Sequence, residues 1–308
     1  MRHTLQPQPR DVLGFGRIDR LLELFRYPPT GPSAETEPVD HSHDQTTPKT
    51  RPAIIQLTSL SSSSFQSSPG KTSLLYHLTA LCLLPPGHGG KGSAAVWIDT
   101  DGRFSAHRLS QVMTSILSSS DQDHHQDTHL STTQESESTI SSSLAHLHVI
   151  KPTTSSALLT SLIQLPAHLL GSSTSHNRPL GLTILDSANA FRHQDPFTTT
   201  IPPSSPSSTH RSFAVPYDEP TTNPWTSFAT LTLHLTRLPI PRFPPSMTLD
   251  DCLHDRSRRQ QAVATARVKI YVNTDAADAA SREQLKRMAT ADFVIRVGTK
   301  GVKVEEER

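Results

Sequence analysis

The sequence predicts an α/β fold with a mostly parallel central sheet flanked by helices, and three observations predict it. Short apolar runs, Ala53 to Thr58, Ala94 to Asp99, Leu147 to Ile150 and Leu180 to Asp186, have the length and composition of buried strands. Between them lie longer stretches with helical character, Thr72 to Leu84, Ser105 to Leu117 and about Thr153 to Leu170. Strand alternating with helix implies a parallel sheet covered on both faces, because parallel neighbours need a crossover long enough to hold a helix.

Ahead of the first strand, Leu13, Ile18, Leu21, Leu22 and Phe25 space out an amphipathic helix within Asp11 to Tyr27. Such a helix serves either to dock on a partner subunit or to cover its own sheet, and the sequence leaves both open. Pro85 and Pro86 stop the first long helix, since proline lacks the N–H that a helix interior needs. From Ala229 to Arg237 the chain alternates strictly, with Leu231, Leu233 and Leu235 on one face and Thr230, Thr232, His234 and Thr236 on the other, which predicts a half-buried strand. Thr248 is placed to cap a helix whose Leu249, Cys252, Leu253 and Val263 fall near one stripe. Arg267 to Val272 returns to strand. Phe293 to Val297 and Val302 to Val304, separated by Gly298 to Gly301, read as a C-terminal β-hairpin, and Trp225 as a core anchor for the alternating strand.

Four Ser/Thr/Pro/His-rich stretches, Pro28 to Lys49, Ser118 to Ser143, Gly171 to Arg178 and Gln194 to Asn223, are too poor in aliphatics to offset their ordering entropy and read as linkers or long disordered insertions. The expected division is an N-terminal helix with a disordered linker over 1–51 and a core over 52–308, interrupted near 118–143 and 194–223. The hydrophobic share of 34% across 308 residues agrees, since a compact domain has ~45–50% apolar residues with glycine included. Lys and Arg number 29 against 28 Asp and Glu, so the bulk charge of +1 excludes a uniformly basic nucleic-acid binder and leaves only local patches. Arg256, Arg258 and Arg259 with Arg267 and Lys269, and separately Arg282, Lys286 and Arg287, are candidates for single-stranded DNA phosphates. No aromatic residues interleave with them for base stacking, which favours solvated helix faces.

Cys82 and Cys252 are too few for a disulfide framework or a four-thiolate zinc site, so a reducing compartment, cytosol or nucleus, is expected. No run of about 18 apolar residues exists to cross a membrane, and Met1 to Arg10 lacks a signal peptide's apolar segment. Asp11, Asp19 and Glu23 argue against a mitochondrial presequence. The imidazoles and carboxylates between Asp121 and His129, like His41 and His43, have metal-ligating chemistry but read better as polar insertion.

The chemistry concentrates behind the first strand, where Pro69, Gly70, Lys71 and Thr72 open a helix. That is the setting of a phosphate-binding loop: backbone amides at a helix N-terminus cradle phosphates, a lysine neutralises their oxygens and a Ser or Thr hydroxyl holds Mg²⁺. The full pattern has glycine five positions before Gly70, where this chain has Phe65, so a serine-rich loop beside a core helix stands as the other reading. The strand Val96-Trp97-Ile98 ends in Asp99, Thr100, Asp101 and Gly102, and acids at that edge of a parallel sheet sit where ligands bind. Asp101 is the candidate to orient or deprotonate an attacking water; a plain Asp/Gly turn is the alternative. The strand Leu182 to Leu185 is closed by Asp186, as the Mg²⁺ side of a phosphate-loop NTPase requires, although a lone terminal Asp also serves as a helix cap.

The run from Gly70 through Ser73-Leu74-Leu75-Tyr76-His77-Leu78-Thr79-Ala80, with Cys82, Leu83-Leu84-Pro85, Trp97-Ile98-Asp99-Thr100-Asp101 and Arg108-Leu109, resembles the RecA-type recombinase superfamily. Leu185-Asp186-Ser187-Ala188-Asn189-Ala190-Phe191 and the terminal Phe293-Val294-Ile295 and Gly301-Val302 fit as well, so the resemblance spans about Pro52 to Val304 with insertions. It implies a RecA-like phosphate-loop ATPase core and work in homologous recombination in the nucleus, within a complex of recombinase paralogues and on single-stranded DNA through that complex. It implies ATP and Mg²⁺ as cofactors, with Gly70, Lys71, Thr72 and Asp186 holding the nucleotide, Thr72 and Asp186 on the metal, and Asp101 where many relatives have glutamate. It also places a further helix and a central strand between Phe191 and Trp225, where this chain is Pro/Ser-rich. The expected role is that of an assembly protein with weak ATP binding; an active DNA-dependent ATPase and a nucleotide-free scaffold are the alternatives. A small-molecule kinase needs an arginine-bearing lid, and Ser118 to Ser143 has no Arg or Lys.

Overall fold

A computed structural model of the chain describes residues 12–26, 53–59, 70–120, 129–171, 178–191, 228–239, 247–264, 266–273, 283, 285, 292–298 and 300–305. In chain order the elements are α1 (Gly16–Arg26), β1 (Ile55–Ser59), α2 (Lys71–Leu83), β2 (Ala94–Asp99), α3 (Ala106–Ser120), α4 (His129–Leu144), β3 (Leu147–Ile150), α5 (Ser155–Gly171), β4 (Leu180–Asp186), β5 (Leu231–Arg237), α6 (Leu249–His254), α7 (Arg256–Ala264), β6 (Ala266–Val272), β7 (Phe293–Gly298) and β8 (Gly301–Val304). The α/β class and the C-terminal hairpin are as the sequence predicts, and the architecture is compatible with a RecA-like core. Among the described residues no helix is long and apolar enough to cross a membrane.

The mostly parallel central sheet needs correction. Among the described residues, hydrogen bonding divides the strands into two sheets, a three-stranded one ordered β3-β2-β4 and a five-stranded one ordered β1-β5-β6-β7-β8. In the first, all neighbours are parallel; in the second, β1 and β5 are parallel and the remaining pairs antiparallel. The sequence misleads here because an apolar run records burial on both faces and says nothing of which strand lies alongside. β5 keeps the expected alternation at His234 and Thr236, which are half-buried, and departs from it at Thr232. The strand lies between β1 and β6, and Thr232 on its polar face is buried along with Leu231, Leu233 and Leu235. β5 thereby supplies β1 with a parallel neighbour from beyond Trp225. Phe65, Trp225 and residues 192–227 lie outside the described residues, as do the histidines at 41, 43, 124 and 125 and Arg282, Lys286 and Arg287.

α1 covers its own sheet. Leu13, Phe15, Ile18, Leu21, Leu22 and Leu24 are buried in one cluster with Leu231, Leu233 and Leu235 of β5 and Val268 and Ile270 of β6, each fully buried aliphatic contributing ~1.5–3 kcal/mol. Asp19 fixes the entry to the helix by accepting the backbone N–H groups of Leu13 and Phe15 at 2.7 and 2.8 Å. The insertion expected over 118–143 is largely helical: α3 runs to Ser120, and α4 occupies 129–144 with Ile140 buried and Leu144 packed against the same cluster. Two aliphatics one turn apart are enough to seat a serine-rich helix when tertiary partners are present. The stripe expected behind Thr248 does not form a buried face. The threonine caps α6 through a capping box with Asp251, but Leu249 is 76% and Leu253 56% exposed, and Asp255 separates α6 from α7.

On α2, His77 lies against Phe15 with ring centroids 5.8 Å apart, and its buried Nδ1 has no hydrogen-bond partner. Burial pushes its titration down to about 4 from the ordinary 6.5. Between those values the unfolded chain binds the proton and the folded chain does not, so stability falls as pH drops through this window. Lowering pH from 7 to 5 is expected to cost roughly 2 kcal/mol through this group, and His77→Leu is expected to remove that share of the slope, measured by urea denaturation at both pH values.

Candidate functional site

The first turn of α2 is set by Gly70, which takes the left-handed conformation at φ 80° just before the helix. A β-carbon there would lie 3.2 Å from side-chain atoms of both Val268 and Val297, so glycine answers a backbone and a packing demand together. Leu74 donates its N–H to the Gly70 carbonyl at 2.9 Å, which starts the helical ladder. Lys71 and Thr72 follow at the helix opening. The Lys71 Nζ lies 3.5 Å from Ser59 Oγ at the end of β1, and Thr72 Oγ1 donates to Asp186 Oδ2 at the end of β4, also at 3.5 Å. Lys71 and Thr72 on one segment and Asp186 on another, 114 residues away, therefore meet at one rim.

Asp101 is placed differently. It is exposed in the turn after β2 and acts on Asp186 through its charge. Its neighbour Asp99 turns inward, 2% exposed, and accepts the N–H groups of Arg103 and Phe104 at 3.0 Å each; the exposed Lys151 ammonium stands 3.9 Å away. Of the two acids, Asp99 thus organises the turn, and both act on Asp186 through their charge. Tyr76, Trp97 and Phe104 stack beneath this turn with centroids 5.0 to 5.8 Å apart, and the Tyr76 hydroxyl accepts the Ser105 N–H at 2.7 Å. Arg108 ties the start of α3 to the hairpin turn by donating to the Gly298 carbonyl at 2.8 Å.

The sequence reading missed Thr100 as a positioning residue. Its hydroxyl donates to the Ser187 carbonyl at 2.7 Å and accepts the Ser187 N–H at 2.6 Å, while its own N–H reaches the Asp186 carbonyl at 2.9 Å. These bonds lock the ends of β2 and β4 together and fix the backbone that carries Asp186. A threonine between two acids gives no signal of this, because the partner is 87 residues away.

Burial raises the Asp186 carboxyl above the ordinary carboxylate range, with Asp101 and Asp99 adding repulsion and Lys71 and Thr72 opposing it. Burial lowers the Lys71 ammonium, against the pull of Asp186. The residue set fits a magnesium-bound polyphosphate: an ammonium for phosphate oxygens, with a hydroxyl and a carboxylate side by side for the metal. Among the described residues no group of three or more His, Cys, Asp or Glu stands ready to hold a metal by itself.

Two substitutions test this geometry. Gly70→Ala is expected to destabilise the protein by ~1–2 kcal/mol, the usual cost of a left-handed alanine, read from the urea midpoint. A raised folded-state carboxyl means that stability is present at acid pH and lost as pH rises through its folded value. Asp186→Asn removes the buried charge and is therefore expected to raise Tm by ~1–2 °C at pH 7, the gain vanishing below the ordinary carboxylate range in a thermal melt series.

No family model matches the sequence. Over 123 residues the chain is 38% identical to the DNA repair protein XRCC2 of Mus musculus, a match covering 40% of this chain and 37% of that protein. The chain thus spans well under half the length of this relative and is related to it over that stretch.

Proposed function

We propose that the chain is an accessory protein of DNA double-strand-break repair by homologous recombination, acting in the nucleus within an assembly of recombinase paralogues. In this role 52–308 is a RecA-like phosphate-loop core and 1–51 its N-terminal helix and linker. Gly70, Lys71, Thr72 and Asp186 hold ATP with Mg²⁺. The observation that carries the nucleotide part is the meeting of Lys71, Thr72 and Asp186 at one rim; the repair part draws on the similarity to XRCC2.

Bound ATP supplies a cleavable phosphoanhydride, and the chain's own residues are better suited to holding it than to cleaving it. Asp101 has a shorter reach than a glutamate for orienting water, and it meets the rim through its charge. Nucleotide then acts by binding one conformation better than another and so favouring the assembled state. Several of the candidate DNA-contacting cations are already engaged within the chain: Arg259 with Asp255, Arg267 with Glu305, and Lys269 with Asp292. This pairing favours contact with single-stranded DNA through the assembly. A nucleotide-free scaffold is the second reading, favoured by Phe65 in place of the first loop glycine.

Affinity recovery of the tagged chain from its native cells, followed by crosslinking with labelled ATP, tests both parts. A recombinase paralogue is expected to be recovered with the chain. Lys71→Ala is expected to cut crosslinking about tenfold, equivalent to ~1.4 kcal/mol, while partner recovery stays intact. Recovery without any recombinase relative overturns the repair reading, and a partner-bound chain that never crosslinks establishes the scaffold. ATP turnover stimulated by single-stranded DNA and abolished by Lys71→Ala or Asp186→Ala establishes the active ATPase instead.

A further inference from the structure

We infer that Arg267, Arg296 and Lys303 form a phosphate-binding row for the backbone of single-stranded DNA, and that the Glu305 carboxylate occupies the row until phosphate displaces it. This deepens the reading above by naming a surface that the chain itself lays on DNA within the assembly. It rests on the repair part of that reading and is independent of the nucleotide rim.

The row follows from strand register. Arg267 of β6 stands directly opposite Arg296 of β7, and Arg296 directly opposite Lys303 of β8. With neighbouring strands ~4.8 Å apart, three cations line up within ~10 Å on one face. Like charges directly opposite one another destabilise a sheet, so folding alone gives no reason for the alignment. The cations are also kept outside: the Arg267 and Arg296 side chains are 55% and 58% exposed, and Lys303 is exposed as well. The other face of the same strands carries Val268, Ile295 and Val302, all buried in the core shared with α1.

Glu305 shows which ligand shape the row takes. One of its carboxylate oxygens accepts Nε and Nη2 of Arg267 at 2.9 and 2.7 Å, and the other accepts Nε of Arg296. Two guanidiniums thus hold the two oxygens of one anion, and a phosphodiester presents the same pair in its unesterified oxygens. Glu305 alone does not neutralise the row, since among the described residues no acid pairs with Lys303. Ion pairs made by exposed arginines contribute little, so this carboxylate is exchangeable. The surroundings favour a single strand. Alternation along β6 brings Tyr271 to the cation face, where the Lys269 ammonium lies 4.6 Å over its ring. An aromatic beside phosphate-binding cations suits an unpaired base, whereas a duplex keeps its bases stacked inside. In the free chain Glu305 holds the row; where other subunits keep DNA close, the effective phosphate concentration displaces it.

Fluorescence anisotropy of labelled oligothymidylate with the full chain, over a salt series, tests the row. Glu305→Gln is expected to tighten binding about fivefold and to steepen the slope of log K against log salt by ~1.4, as for two added phosphate contacts on a single strand. In that background Arg296→Gln and Lys303→Gln are each expected to weaken binding about threefold and to flatten the slope by ~0.7. Lys303 is exposed, so its variant leaves the fold intact. Glu137→Gln changes the net charge equally on the exposed side of α4 and is expected to leave affinity unchanged. Unchanged binding in Glu305→Gln, or equal tightening in Glu137→Gln, overturns the row. Tighter binding of the matching dT·dA duplex overturns it too, as does tighter binding of polyglutamate, which marks an acidic protein surface as the occupant instead. Recovery of a recombinase paralogue with the Lys303→Gln chain is expected to match the unsubstituted chain, and its loss makes the row a partner contact and overturns the inference. Failure of the row leaves the repair reading standing, whereas an unsubstituted chain that recovers no recombinase relative overturns that reading whatever the anisotropy shows.

Discussion

Helix α2 is shared between two apolar cores, and this division constrains everything around the candidate site. Leu74, Leu78 and Leu81 belong to a cluster with α1, β5, β6 and the terminal hairpin. Tyr76, Ala80, Cys82 and Leu83 belong to a second cluster with β2 and with Leu109, Val112 and Met113 of α3. A helix claimed on several sides has no polar face to turn outward, so it cannot rotate without opening one core or the other. Its first turn is therefore presented in a fixed pose, with Gly70 wedged against Val268 and Val297. The scaffold is rigid where it carries the site, whereas the rim side chains are linked to the strand ends only by bonds of 3.5 Å.

How much of this was legible depends on what each signal records. The strand at 94–99 was plain because its unbroken apolar run reports burial on both faces; the run at 180–186 marks a strand equally well, although only Ile184 in it is buried. The helix at 16–26 was equally plain from its stripe, but the same stripe suits a partner or the chain's own sheet. Only the packing against β5 and the Asp19 cap decide between them. Helix α4 escaped because its few aliphatics are diluted by serine and threonine, and its order comes from docking Ile140 and Leu144 onto a core assembled by other segments. The split between the two sheets was hidden altogether, since hydrophobic pattern fixes which face is buried and leaves edge-to-edge neighbours undetermined.

The site shows the same limit at the scale of single residues. Gly70, Lys71, Thr72 and Asp186 stand out as candidates because their types and flanking elements follow a phosphate-loop pattern, and the structure brings the last three together. Asp99 and Asp101 were indistinguishable by type. Their fates diverge because Asp99 ends the buried strand and receives two backbone N–H groups, whereas Asp101 stands exposed in the turn. Thr100 was invisible because its task is to clamp a backbone brought alongside only by folding.

The electrostatics of the rim tie these pieces to the proposed role. Burial disfavours the charged forms of both Lys71 and Asp186, and their mutual attraction only partly restores them. Clustered acids at the ends of β2 and β4 then leave a local charge imbalance that the fold tolerates because α2 and its two cores hold the backbone in place. A dication beside Asp186 and a polyanion beside Lys71 would relieve that imbalance on both sides at once, which neither ion alone can do. A site of this kind gains most from a ligand carrying both charges. That preference links the uneasy carboxylate and the lysine at the helix opening to one class of molecule.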